Sequence, residues 1–306
     1  MAPGGSGGTK KTAKEVFDEI GGIIQQKAKE NAVPYQNDLK GDLLKVKFSN
    51  RGTVSTEDAC LLNYTKDTNV TEGYGKENPC YGRQGVRFSD TKGAECYWNR
   101  IKGNDKNNEA AACAPFRKLH MCDRNLEEIK PHQITSTHNL LLDVLLAAKH
   151  EGKLLVEKHK EYITENPDSQ ICTMLARSFA DIGDIIRGKD LFLGHQQRKR
   201  KLEGNLRNIF KNIHDHLTDA KANSYYKNDN DRNYYKLRED WWTANRDQVW
   251  KAITCDAAVE DTYSKYLGDR TTTFSNEKCG HDEGIVPTNL DYVPQYLRWF
   301  EEWAED

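Results

Sequence analysis

The chain has 306 residues, 30% of them charged and 37% hydrophobic, with a formal net charge of −2 and a mean hydropathy of −0.86. This balance excludes a membrane-embedded protein, and it confines any binding of polyanions to a local patch. The 9% of aromatic residues excludes a fully disordered chain, because disordered chains are poor in aromatics.

Length predicts two or three packed units. Residues 1–8 are almost all Gly, Ala, Pro and Ser, without the apolar core of roughly 7–15 residues that an export signal needs. Thr9-Lys10-Lys11-Thr12 follows this glycine-rich start, but no Gly-Lys-Ser/Thr triplet and no preceding strand support a phosphate loop. Residues 12–30 predict an amphipathic helix. Val16, Ile20 and Ile23 fall on one stripe, Thr12 and Glu15 make a capping box, and Gly21-Gly22 sits in the middle. Its expected role is a helix docked on the main body.

Residues 48–135 hold five of the eight cysteines and little helical periodicity. Such a stretch buries little apolar surface, so disulfides are expected to hold its loops. Asn63-Tyr-Thr65 and Asn69-Val-Thr71 match the N-glycosylation pattern. Cys113, His120 and Cys122 are the nearest approach to a metal cluster, but a fourth ligand at regular spacing is missing. Cys60, Cys80, Cys96, Cys113, Cys122, Cys172, Cys255 and Cys279 include no Cys-x-x-Cys pair. They read as disulfides formed in an oxidising, extracellular setting, with connectivity open.

Beyond residue 136 the pattern turns helical. Residues 138–163 carry Leu141, Leu142, Leu145, Ala148 and Leu155 on one face. Residues 172–192 space Cys172, Leu175, Phe179, Ile182 and Ile186 by threes and fours, and residues 196–217 do the same with Leu202, Leu206, Ile209, Phe210, Ile213 and Leu217. After a polar loop at 223–233, residues 235–255 place Trp242, Val249 and Ile253 on a stripe. Four such helices predict a bundle. Trp241, Trp242 and Trp250 are expected to pack in it. The apolar-rich run at 140–148 is too short and polar to span a bilayer. Residues 291–306 predict a last amphipathic helix with Tyr296, Trp299, Phe300 and Trp303, and Glu301-Glu302 in a solvated acidic tail. Exposed aromatics at that end predict a fragment of a longer protein.

One basic run stands out. Arg198, Lys199, Arg200, Lys201, Arg207 and Lys211 face a single acid, Glu203, over residues 198–211. Such a run attracts sulfated or sialylated glycans by counterion release; the alternative is the solvated face of a helix. Nucleic acid fits a disulfide-linked extracellular module poorly. His214 and His216, two apart on a helix, face different ways. No nucleophile elbow, zinc-protease motif or cofactor-binding motif occurs, so neither an enzyme nor a cofactor is expected.

Three strings carry a resemblance. Residues 175–188 (LARSFADIGDIIRG), 240–255 (DWWTANRDQVWKAITC) and 292–303 (YVPQYLRWFEEW) resemble hallmarks of the Duffy-binding-like domains of malaria parasites. With the N-terminal helix and Cys60, the chain is similar to the head of the Plasmodium falciparum erythrocyte membrane protein 1 family: an N-terminal segment, then an alpha-class Duffy-binding-like domain. The resemblance implies a membrane anchor far downstream, a third helical subdomain past residue 306, and display on the infected erythrocyte. It also implies adhesion to host receptors through heparan sulfate, complement receptor 1 or blood-group sugars, with rosetting and escape from antibodies. No family site is carried over, and the basic helix rests on its residues alone.

The expected fold is therefore mainly α, a disulfide-stapled helical bundle with a loop-rich cysteine-containing subdomain. Its units are an N-terminal segment at 1–47, the loop-rich subdomain at 48–135, and the bundle at 136–306. The rival to adhesion is an antigenic spacer whose receptor binding lies in neighbouring domains.

Overall fold

Helices carry most of the regular structure in the computed structural model, which describes residues 11–48, 51–83, 85–88, 94–107, 112–194, 196–227, 229, 233–268 and 271–305. The glycine-rich start and Thr9-Lys10 lie outside the described residues. In chain order the helices are α1 (Ala13–Ala32), α2 (Gln36–Leu39), α3 (Phe116–Leu119), α4 (Arg124–Glu128), α5 (Thr137–Tyr162), α6 (Ile171–Arg187), α7 (Gln196–Asp215), α8 (Ala220–Tyr226), α9 (Tyr235–Ile253), α10 (Glu277–Gly280) and α11 (Gln295–Glu305). Two antiparallel ribbons accompany them, β1 (Lys47–Phe48) with β2 (Arg51–Thr53), and β3 (Ser264–Gly268) with β4 (Thr271–Phe274).

The centre is α5, α6 and α9. Ser136 caps α5 by accepting from the Asn139 amide. Leu140, Leu141, Leu142, Val144, Leu145 and Leu146 are all buried, so the first half of α5 is enclosed by neighbours on every side. Each such side chain contributes roughly 1.5–3 kcal/mol by burial. Two glycines set the spacing: a Cβ at Gly152 would lie 1.9 Å from the Ile253 carbonyl oxygen, and one at Gly183 would lie 2.8 Å from the Trp242 ring. Trp241, Trp242 and Trp250 fill the space between helices, and their indoles donate to Thr137 Oγ1, Asp291 Oδ2 and the Cys279 carbonyl.

The helix at 172–192 stops earlier than its spacing predicts. Gly188 takes the left-handed conformation (φ 75°), caps the end, and sends residues 189–193 out as a connector. All eight cysteines are paired, Cys60–Cys255, Cys80–Cys122, Cys96–Cys113 and Cys172–Cys279. Two bridges lie inside 48–135, and Cys60–Cys255 ties that stretch to the end of α9. That stretch buries more than expected: Val54, Leu62, Val70, Met121, Leu126 and Ile129 join the bundle core.

The terminal helices correct two expectations. The packed face of α1 is Lys14, Asp18 and Gly21 together with Phe17 and Ala28, which pack against the core, while Ile20, Ile23 and Ile24 point outward at 48%, 72% and 45% exposure. Asp18 accepts from Thr288 Oγ1 (2.9 Å), the Asn289 amide (2.7 Å) and the Tyr263 hydroxyl. A Cβ at Gly21 would sit 2.3 Å from the Asn289 carbonyl oxygen, so only that glycine face approaches closely. At the other end, Glu301 and Glu302 are buried, not a solvated tail. Arg177 donates to Glu301 at 3.0 Å, and Arg117 reaches Glu302 at 2.8 and 2.9 Å. Arg298 of α11 completes the seat on Asp181 and Asp184 at 2.8 and 2.7 Å.

Candidate functional site

The basic run falls on α7, whose apolar stripe (Leu202, Leu206, Ile209, Phe210 and Ile213) is buried in the bundle core. Most of the remaining circumference meets solvent. Arg198, Arg200, Lys201, Arg207 and Lys211 are exposed. Lys211 pairs with Asp215 one turn on, which weakens its field toward a ligand.

Lys199 is turned the other way. Its ammonium lies 2.6 Å from Asp123 and 3.7 Å from Asp190. Burial alone would lower the Lys199 pKa, but Asp123 and Asp190 outweigh it and hold the amine charged above its usual value. Burial would likewise raise Asp123, yet Arg83 and Lys199 together hold that carboxyl well below the usual range. Lys199 is thus an internal ion-pair member that fastens α7 beside α4. The one acid of the run, Glu203, accepts from Arg238 at 2.7 and 3.0 Å.

Beside this face lies a cleft of about 450 Å³, whose lining mixes the basic Lys102, Arg200 and Arg207, the acidic Asp190 and Glu203, and the apolar Ile185, Leu202 and Leu206. Sequence reading missed Lys102. It arrives from the 48–135 stretch through the bridge of Ile101 with Phe192 and the hydrogen bond that the Lys102 backbone N–H donates to the Leu191 carbonyl. A lone lysine in a loop gives no local signal of that approach. A wider trough of about 930 Å³ shares Lys102, Gly188 and Tyr235 with the cleft, and continues past Lys236 to Ile24 and Lys27 of α1.

The other sequence candidates do not assemble. Cys113 and Cys122 belong to different disulfides, and the described residues contain no group of three or more metal-ligating side chains. His216 bonds the Asn212 carbonyl and His214 faces Asp215. Among the described residues no helix is long and apolar enough to cross a membrane.

The molecule is thus a disulfide-stapled helical scaffold with exposed basic residues on α7 beside a mixed polar and apolar cleft. Residues 111–298 match the family model described as the Duffy binding domain. The chain belongs to that family, and residues 12–47 match the N-terminal segments of PfEMP1. It is similar to the NTS-DBL1-alpha and CIDR-gamma double domain of PfEMP1 from the Plasmodium falciparum varO strain. The two are 44% identical with a TM-score of 0.87, over 96% of this chain and 43% of that one. It is also similar to the NTS-DBL1(alpha-1) domain of the same strain (42% identity, TM-score 0.80, 97% and 62% covered). A third similar structure is a PfEMP1 DBLbeta domain bound to ICAM-1 (30% identity, TM-score 0.74, 97% and 67% covered). The chain spans less than two thirds of the first two solved chains. No curated protein matches it. Duffy-binding-like domains of PfEMP1 are receptor-binding adhesion modules and not enzymes.

Proposed function

We propose that the chain is an adhesion module of a variant surface antigen on the extracellular face of the infected erythrocyte. It binds host erythrocyte or endothelial receptors, and anionic glycans such as heparan sulfate through α7. Family membership and the DBLbeta neighbour bound to ICAM-1 support the receptor half. The observation that carries the glycan half is the exposure of Arg198, Arg200, Lys201 and Arg207 while Glu203 is engaged by Arg238. Complement receptor 1 and blood-group sugars are the further receptors in this reading. The division into an N-terminal segment (1–47), a loop-rich unit (48–135) and a bundle (136–306) belongs to the same proposal.

The mechanism is non-covalent. Long-range attraction brings a polyanion to α7, release of its counterions supplies free energy, and the affinity falls with salt. The test is retention of oxidised monomer on heparin across a salt gradient, beside a variant carrying Arg198→Glu, Arg200→Glu, Lys201→Glu and Arg207→Glu. Lys199 is left intact because it holds Asp123. Wild type is expected to elute at higher salt than the equally helical variant. Equal elution removes α7 from the reading, and a folded wild type indifferent to both heparin and erythrocytes favours the antigenic spacer.

A further inference from the structure

The four disulfides differ in what surrounds their sulfurs. Cys172 and Cys279 are both buried in the core. Cys80 is half-buried, but Cys122 is enclosed beneath the Arg87 guanidinium, 3.2 Å from its sulfur. A sulfur leaving there is cut off from the solvent that must supply its proton. Cys96 and Cys113 are half-buried, and neither sulfur has a hydrogen-bond partner among the described residues. Cys60 and Cys255 are half-buried too, and an imidazole stands against one of them: His281 Nε2 lies 3.8 Å from Cys60 Sγ.

The tautomer of His281 follows from its other nitrogen. Thr254 Oγ1 lies 2.8 Å from the Trp250 carbonyl oxygen and 2.8 Å from His281 Nδ1. Two oxygens at that distance need a hydrogen between them, and only the hydroxyl can supply it. Nδ1–H therefore donates to Thr254, which leaves a lone pair on Nε2 facing Cys60. Burial holds the imidazole below its ordinary pKa of 6.5; Asp282 pulls the other way, and Lys251 and Lys278 side with burial. The closed bridge offers that lone pair no hydrogen, whereas a Cys60 thiol supplies one. Cys255 is placed in the opposite way. It sits just past the C-terminal end of α9, where the helix dipole disfavours negative charge, and its sulfur is 3.4 Å from the Lys251 carbonyl oxygen. Of the two sulfurs, Cys60 is the better leaving group.

We propose that Cys60–Cys255 is a thiol-exchange site, at which Cys255 takes up a small monothiol and Cys60 is released as a thiol onto His281. The incoming thiol loses its proton to solvent, and its thiolate attacks Cys255 Sγ. The new S–S bond forms as the Cys255–Cys60 bond breaks, and Cys60 Sγ leaves with the electron pair. Cys60 then takes one proton from solvent, and its S–H donates to Nε2. One thiol and one disulfide enter and one of each remains, so no oxidant or reductant is consumed. Opening is local because the loop keeps other anchors. Lys149 of α5 donates to the Cys60 and Leu62 carbonyls at 2.6 and 2.7 Å, and Ala59 and Leu62 stay packed in the core. The exchange thus unties the 48–135 stretch from the end of α9 without undoing either.

The test exposes the oxidised full chain to limiting glutathione, quenches with N-ethylmaleimide, and maps the modified cysteines by peptide mass spectrometry. The first product is expected to carry glutathione on Cys255 and maleimide on Cys60. The other three bridges should stay closed and the far-UV helix signal unchanged. His281→Leu removes the acceptor and should slow this step at least about threefold, the effect of one pKa unit on the leaving thiol. No adduct, glutathione first on Cys60, a first opening at another bridge, or loss of helix signal before the adduct forms overturns the proposal, and these readouts need no variant. An unchanged rate in a folded His281→Leu chain overturns it as well.

Discussion

Helices α1 and α11 bracket the described chain, and both read as amphipathic, yet different chemistry seats them. On α1 the seat is a single buried carboxylate, Asp18, ringed by hydroxyl and amide donors, with Lys14 reaching the Ser264 carbonyl at 2.7 Å. On α11 it is a set of arginine–carboxylate pairs, each at most 2% exposed on the arginine side chain. In both, large apolar side chains remain outside: Ile23 at 72% and Phe300 at 73% exposure. The difference teaches that an apolar stripe names the buried face only when the partner surface is itself apolar. Where the partner presents charge or a bare backbone, polar side chains go in beside a few apolar ones, Phe17 and Ala28 on α1 and Leu297 and Trp299 on α11.

The largest effect should come from breaking an ion pair under α11. Arg177→Met takes its guanidinium away from the buried Glu301 carboxylate, at an expected cost of about 3–5 kcal/mol. Denaturant unfolding of the oxidised chain measures it. Adding Glu301→Met should recover most of the loss. A single variant as stable as wild type would show that water reaches this seat and that α11 is held mainly by Trp299.

Acid separates the two seats by sign. Burial would raise Asp181, but Arg117, Lys118 and Arg298 outweigh it and hold it below its ordinary 3.8. Its contribution is complete above 3.8 and is lost as pH falls below that value toward the folded pKa. Asp18 runs the other way: burial raises it above 3.8 against the pull of Tyr263, Asn289 and Lys14. Folding is therefore favoured, through Asp18, as pH falls from its raised value toward 3.8. Asp184, also raised by burial, offsets part of the loss under α11. Hydrogen exchange should show α11 amides losing protection below 3.8 while α1 amides hold, and Asp181→Asn should flatten that acid limb. A carboxyl whose pKa moves by one pH unit on folding changes stability by about 1.4 kcal/mol.

Much of the centre was legible in the sequence. Leu175, Phe179, Ile182 and Ile186 are all buried at the spacing that names them, as are Trp242, Val249 and Ile253, because α5, α6 and α9 bury apolar faces against one another. The ends were not legible, since Arg117 and Arg177 lie far from Glu301 and Glu302 in the chain and no local pattern joins them. The basic run was half legible. Its position on a solvated helix face follows from the stripe beneath it, but the inward turn of Lys199 depends on Asp123, and the approach of Lys102 depends on a bridge at Ile101.

The smallest effects test the α1 side of the comparison most sharply. A glycine that touches backbone has nowhere to yield, so Gly21→Ala should cost about 1–3 kcal/mol as an overpacked contact and should speed hydrogen exchange across α1. Ile23→Ser, two positions along the same helix, should change stability by no more than about 0.5 kcal/mol. An apolar stripe that seated α1 would give the reverse order, with the isoleucine costly and the glycine tolerant. The ranking of these two variants therefore decides which face of α1 is the docked one, and it does so without depending on the absolute stability of the chain.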